Sequence, residues 1–253
     1  MNINDQMTPG PAKPVLVFLH YFGGAAKSWK WLIDELGEAY QCLPLDLPGF
    51  GGTAPLPKIS VAAMADHMIA YLDEHLDKDE YILVGHSMGG KIAMEVAYRS
   101  RYATKKVKRL ILTAPSPPTV ERMPEKEKQR MLIHPDRNEA ATTVQNGTVR
   151  ELTGERSQTA IETQLVVDEK TWRWWIIEGM DRSIADHAKI IDVPVTLIVS
   201  SDDPAITQQM TEQETIPNLP EGTDVVWTSG IGHLLQLEDP AWLAGQIKSV
   251  LNV

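Results

Sequence analysis

The chain has 253 residues, 43% of them hydrophobic and 23% charged, which supplies a sizeable core and excludes disordered, collagen-like and fibrous chains. That length suits one large α/β domain or a core with an insertion. A net charge of −10 argues against a nucleic-acid binder, and a single cysteine, Cys42, excludes an intrachain disulfide, a zinc ribbon and a Cys-ligated iron–sulfur site.

Cys42 lies in QCLPLD and reads as a small buried hydrophobe. The N-terminal MNINDQMTPGPAKP has neither a basic n-region nor the apolar core of a signal peptide. No stretch approaches the roughly 20 apolar residues of a bilayer span. The expectation is a cytoplasmic protein with no membrane association.

The first periodic signal is VLVFLH, Val15 to His20, a continuous apolar run of the kind buried on both faces of a sheet. After a glycine-rich break at Tyr21–Ala25, the spacing in SWKWLIDELG predicts a helix from Ser28 to Gly37, with Ser28 as N-cap. Tyr40–Leu47 is strand-like and PGFGGTAP is loop. Val61–Leu76 is a helix introduced by Ser60, with Met64, Met68, Ile69 and Leu72 on one face. Tyr81–His86 is a third strand, Met88 to about Arg101 a helix, and Val107–Ala114 a fourth strand. Such alternation predicts a parallel sheet wrapped by helices.

The rhythm breaks at Pro115. Residues 115–190 hold the charged run ERMPEKEKQR, two or three expected helices, the cluster WRWW and no convincing strand, so they read as a helical insertion. The run Glu121–Arg130 reads as a solvated helix face. Alternation returns with the strand Val193–Ser201, a helix near Thr207–Thr215, the strand Thr223–Ser229 and a closing helix Pro240–Leu251. No fixed-period repeat is present, which excludes a solenoid.

The sharpest local feature is Gly85-His86-Ser87-Met88-Gly89-Gly90, a G-x-S-x-G between an apolar strand and a helix. A nucleophile there sits on a tight turn whose flanking positions need glycine to avoid the neighbouring strand and helix. Serine needs a base and an orienting acid, because its hydroxyl is not ionised near neutrality. Of seven histidines, His233 lies in a glycine-rich loop after the last strand, where its side chain can reach the sheet end. In SSDDPAI, Asp203 is preferred over Asp202 as the orienting acid, helix capping being the alternative use of either. The order Ser87, Asp203, His233 follows. Two oxyanion donors are expected from the backbone N–H groups of Met88 and Phe22, the latter in the segment His20-Tyr21-Phe22-Gly23-Gly24.

Together these segments resemble the α/β-hydrolase superfamily along nearly the whole chain. The likeness covers H-x-F-G-G, DLPGFGGT, GHSMGG, SSDDP and the ending GHLLQLEDP. Within the superfamily the chain is similar to small cap-bearing serine esterases, lactonases and cofactor-free haloperoxidase-like enzymes. The resemblance implies an α/β fold with a mostly parallel sheet of about six strands, helices on both faces and a helical cap. It divides the chain into a core of residues 1–114 and 191–253 and a cap of 115–190. Two departures stand out. Only fourteen residues precede Val15, so the family's N-terminal hairpin is expected to be missing, and Tyr21 stands where the family usually has glycine.

Ser87 in place of a carboxylate argues against dehalogenase and epoxide hydrolase chemistry. What remains is acyl transfer on a small-molecule substrate, an ester or lactone, with no metal or organic cofactor implied. A peptidase or C–C bond hydrolase with the same triad, and a hydrolase-fold receptor for a small molecule, stay open. Tyr21, Trp172 and Trp175 are the expected pocket residues. Trp174, Met123, Met131 and Met180 could join that wall, or the whole group could serve to fix the cap to its core.

Overall fold

The computed structural model describes residues 13–251. Its sheet has six strands, all parallel: β1 Val15–Leu19, β2 Gln41–Leu45, β3 Glu80–His86, β4 Lys106–Thr113, β5 Val195–Ser200 and β6 Asp224–Thr228. The order across the sheet is β2-β1-β3-β4-β5-β6. The expected lack of an N-terminal hairpin concerns residues 1–12, which lie outside the described residues.

Strand periodicity divides the core into two layers, since successive side chains point to opposite faces. Val15, Val17, Leu19, Leu83, Leu110, Leu112 and Leu197 share one apolar cluster with α2 (Val61–His75) and α3 (Met88–Ser100). Leu16, Phe18, Val84, Ile111 and Ile198 share the other with α1 (Lys30–Leu36) and a C-terminal helix Pro240–Val250. The inner strands are apolar on both faces because both are covered. The edge strands β2 and β6 are only partly buried. In keeping with its place on β2, Cys42 is half-buried rather than fully enclosed, and burial pushes its thiol up to about 11.

Two local readings change. Ser60 does cap α2, its hydroxyl accepting the Ala63 N–H. Ser28, however, lies inside a 3₁₀ turn, Ala26–Trp29, that precedes α1, and its hydroxyl accepts the Ala25 N–H instead. Between β4 and β5 there are five helices rather than two or three: α4 Glu125–Met131, α5 Arg137–Gly147, α6 Gly154–Leu165, α7 Glu169–Trp174 and α8 Ala185–Ala188. Several span two turns or fewer, too short for a 3.6-residue period to show in sequence. After β5 the expected helix near Thr207–Thr215 is present as α9 (Gln208–Met210), continued by a π-helical turn, Thr211–Thr215, and a 3₁₀ turn, Ile216–Asn218; α10 (Leu235–Glu238) precedes α11 (Pro240–Val250). Among the described residues no helix is long and apolar enough to cross a membrane.

β1 and β3 are the topological switch point: the chain leaves β1 for β2 on one side and returns as β3 on the other. In open parallel sheets, ligands bind outside the carboxyl ends of the strands at such a point. Here α3 starts against the end of β1. A Cβ on Gly89 would run into the carbonyl groups of Leu19 and His20, and one on Gly85 would come within 2.6 Å of the Ala93 methyl. Gly89→Ala is expected to destabilise the fold by about 3 kcal/mol through overpacking against backbone. The melting temperature should fall by roughly 6–12 °C, measurable by calorimetry.

Candidate active site

Ser87 occupies the turn between β3 and α3 with φ 53° and ψ −121°. A non-glycine residue in this region costs about 1–3 kcal/mol and persists only where its surroundings over-determine it. They do so here. The Ser87 carbonyl accepts N–H groups from Gly90, Lys91 and Ser116, and the Ser87 N–H is donated to the Thr113 carbonyl. Although Ser87 holds the N-cap position of α3, its hydroxyl makes no capping bond. It is donated instead to His233 Nε2, at 2.8 Å.

The loops after β5 and β6 deliver the other two groups. His233 Nδ1–H is donated to Asp203 Oδ2 at 2.7 Å, and Asp203 Oδ1 accepts the N–H groups of Ala205 and Ile206. The tautomer follows from these partners: Nδ1 faces a carboxylate, so Nε2 is left as the acceptor. Asp202 is turned away, its exposed carboxylate accepting the Gly230 N–H. Ser200 Oγ–H to the Ile231 carbonyl, at 2.5 Å, ties the aspartate-bearing loop to the histidine-bearing one.

His233 is itself clamped on all sides. Its N–H reaches the Gly147 carbonyl at the end of α5, and its carbonyl accepts His86 Nε2–H at 2.8 Å. Glu238 holds the residues on either side, its carboxylate accepting N–H groups from Gly232 and Leu234 as well as from Val149 and Arg150. Burial lowers the His233 pKa, but the charge and hydrogen bond of Asp203, followed by the charges of Glu121 and Glu238, outweigh it, so the net direction is upward. His86 goes the other way: burial and the neighbouring His233 ring hold it well below the ordinary imidazole value, hence neutral.

On the β1 side, Tyr21 to Gly24 form a tight turn in which the Gly24 N–H is donated to the Tyr21 carbonyl. His20 is fully buried, and burial pushes its pKa down to about 4. Its Nδ1–H is donated to the same Tyr21 carbonyl at 2.8 Å while Nε2 accepts the Leu47 N–H. In a trans peptide the carbonyl and the next N–H point in opposite directions. Anchoring the Tyr21 carbonyl therefore fixes where the Phe22 N–H points. Met88, the first residue of α3, has an N–H without an intrahelical acceptor, at the positive end of the helix dipole.

A cavity of about 330 Å³ opens over Ser87 and His233. Tyr21, Phe22, Met123, Met131, Val144, Trp175 and Leu234 give it apolar walls; Glu121, Asn146 and Gln164 add polar ones. Tyr21 and Trp175 thus line it as the sequence suggested, while Trp172, Trp174 and Met180 do not. Trp172 is buried behind the wall, its ring stacked on His134 at 4.1 Å and its Nε1–H donated to the Met131 carbonyl. Glu121, read as part of a solvated face, is 9% exposed and lines the cavity. Burial raises its pKa, opposed by the Ser116 hydroxyl and the Lys91 charge. Lys91 is wholly buried within α3, and burial lowers it to about 8.

Comparison with known proteins agrees with this architecture. The sequence model of a family described as the alpha/beta hydrolase family matches residues 16–246. A 2-succinyl-6-hydroxy-2,4-cyclohexadiene-1-carboxylate synthase of Klebsiella pneumoniae is 37% identical over 91 residues, 35% of this chain and 34% of that protein. The dihydrolipoyllysine-residue acetyltransferase component of the acetoin cleaving system of Cupriavidus necator is 40% identical over 89 residues, 35% of this chain and 23% of that protein. This chain thus spans about a third or less of the length of these two curated relatives. An esterase from Exiguobacterium antarcticum superposes with a TM-score of 0.85 at 17% identity, covering 96% of this chain and 93% of that one; at that identity the likeness is one of fold.

Two substitutions test the supports of the site. His20→Leu is expected to free the Tyr21–Phe22 peptide and, with the Phe22 N–H as the oxyanion donor expected from the sequence, to lower kcat about 100-fold with little change in KM. Glu238→Gln should destabilise the protein by about 3 kcal/mol, since hydrogen bonds to a buried charge are worth about 1.5–3 kcal/mol each and only part of the set is lost. Steady-state kinetics and denaturant titration read the two effects.

Proposed function

The chain belongs to the α/β hydrolase family, and on that premise we propose that it is a serine hydrolase cleaving a small carboxylic ester or lactone through an acyl-enzyme. The observation that carries this reading is the unbroken relay from Ser87 Oγ to His233 Nε2 and from His233 Nδ1 to Asp203, at 2.8 and 2.7 Å.

In this mechanism Ser87 Oγ attacks the substrate carbonyl carbon as its proton passes to His233 Nε2. Asp203 remains ionised and stabilises the imidazolium. Negative charge forming on the carbonyl oxygen is met by the N–H groups of Met88 and Phe22. Collapse of the tetrahedral intermediate expels the alkoxide, which takes the proton back from His233. Water, deprotonated by the same imidazole, then attacks the acyl-enzyme and releases the acid and Ser87. The helices between β4 and β5 act as the cap, with Gly147 bonded to His233 and Trp175, Met123 and Met131 over the acyl group. No step needs a metal or organic cofactor.

A second reading, chemistry at a C–C bond with the same triad, draws on the name of the Klebsiella synthase. The cavity weighs against a polycarboxylate ligand: Glu121 and Glu127 both line it, and its one lining cation, Arg122, is exposed and 3.8 Å from Glu214.

A fluorophosphonate probe should label the protein on Ser87, and Ser87→Ala should abolish labelling and lower ester turnover by about 10⁴-fold or more. Labelling that persists in Ser87→Ala overturns the assignment. Activity requires neutral His233, so it is lost as pH falls through the pKa of that imidazole. Because the charges around it raise that pKa, the acid limb of kcat/KM should have its midpoint above the ordinary value of about 6.5. Asp203→Asn, which removes the charge, should lower kcat by about 10⁴-fold.

A further inference from the structure

The cavity over Ser87 has an open side and a closed one. Of its lining residues, Arg122, Pro124, Asn146, Pro204 and Ala205 are exposed and form the rim, whereas Met131, Val144, Gln164 and Trp175 are buried among the helices that follow β4. Its volume of about 330 Å³ is at the small end of ligand cavities, which run from about 300 to 1,000 Å³. A bound chain therefore has a limited run before it meets a wall.

Beyond that wall lies a second cavity of about 10 Å³, room for scarcely one water. Three residues, Met131, Thr143 and Gln164, line both cavities, so the partition between the two is made of these side chains. On its far side the second cavity is bounded by His134, Ala140 and Trp172 and reaches Ile133, which is 55% exposed on the outer surface.

The three members of the partition are held in different ways. Gln164 Nε2–H groups are donated to the carbonyls of Ala160, at 2.9 Å, and Ala140, at 3.2 Å. Thr143 Oγ–H is donated to the Glu139 carbonyl at 2.9 Å, and the same oxygen accepts Arg130 Nη2–H at 3.0 Å. Polar bonds fix both. Met131, the last residue of α4, has its carbonyl tied by Trp172 Nε1–H at 2.7 Å, while its side chain is held by apolar packing alone. An unbranched thioether adapts its shape to whatever fills the space beside it. Of the three, only Met131 can be shortened or enlarged without breaking a side-chain hydrogen bond.

We propose that Met131 is the end stop of the acyl pocket and sets the longest straight acyl chain the protein accepts, the alcohol part of the ester projecting through the rim. This deepens the hydrolase reading and rests on it for the placing of the acyl group beside Ser87. Each methylene that an apolar pocket admits or refuses changes kcat/KM by about 10- to 200-fold. At the packing density of protein interiors, losing Cγ, Sδ and Cε of Met131 makes room for about three further carbons and joins the cavity to the one behind it.

The test is kcat/KM for p-nitrophenyl esters from acetate to decanoate and for alkyl acetates from ethyl to octyl, in the unsubstituted protein, Met131→Ala and Met131→Trp. The acyl series should pass through a maximum that lies about two to three carbons longer in Met131→Ala, and shorter than the original in Met131→Trp. The octanoate-to-butyrate ratio should rise at least about 10-fold in Met131→Ala. Neither substitution should move the alkyl acetate series. Thermal melts establish that each variant is folded, and Met131→Ala decides the matter alone if Met131→Trp is not. An acyl profile unmoved in Met131→Ala, or an alkyl profile that moves in its place, overturns the proposal. Straight-chain alcohols from butanol to decanol, bound to Ser87→Ala with and without Met131→Ala and followed by calorimetry, read the same stop without turnover. Their affinity should rise with length and level off, about two to three carbons later once Met131 is shortened. Normal fluorophosphonate labelling with unmoved profiles removes the stop alone; failed labelling with the expected shift in alcohol binding removes the hydrolase mechanism and leaves the stop standing.

Discussion

Everything in the site depends on one ring being held in one plane. The imidazole of His233 must face Ser87 with Nε2 and Asp203 with Nδ1 at once, and its partners lie 146 and 30 residues away in the chain. A histidine on a free loop would lose both bonds to rotamer and backbone entropy. The protein removes that freedom by fixing the main chain first. The N–H of His233 is bound to Gly147, its carbonyl to His86, and the amides on either side to Glu238. Only then do the ring's own hydrogen bonds suffice to set its orientation.

The same clamp joins the parts of the fold. Gly147 ends a helix inserted between β4 and β5, while Val149 and Arg150, bound by Glu238, begin the next connection. The loops after β3, β5 and β6 thus meet a segment whose position is set by the histidine they carry. On the Ser87 side, the loop after β4 does comparable duty, Ser116 donating its N–H to the carbonyl of the strained Ser87. Parallel strands make this convergence possible, because all their carboxyl ends lie on one edge. The strain at Ser87 is held by the sheet and α3 together, with glycines 85 and 89 allowing the close approach.

Much of this was legible in the sequence, and the reasons differ by element. The six strands and the helices α2, α3 and α11 were readable because each buries a continuous run or a clear stripe. Ser87, Asp203 and His233 could be read from glycine and loop chemistry at the ends of those strands, and the structure brings all three within hydrogen-bonding distance. The helices after Pro115 were harder. They are short, and Trp172 points into the packing against His134 and Phe22 instead of the cavity because of contacts that composition cannot order. Glu121 looked like its charged neighbours. Its burial comes from Lys91 and Met180, remote in the chain. Glu238 stood in the quoted ending GHLLQLEDP, yet nothing in its spacing reveals four amides converging on one carboxylate.

Three buried carboxylates act on His233, and they differ in how the protein holds them. Glu238 is saturated by four backbone N–H groups, and Asp203 by two amides and the imidazole itself. Both are fully engaged by the protein's own donors, and the charge of each raises the His233 pKa. Glu121 relies instead on the Ser116 hydroxyl and the Lys91 charge to offset its burial. A carboxylate left in that condition on the wall of a reactive cavity costs stability. It contributes to folding less than its neighbours do. The arrangement raises the basicity of His233 from three directions.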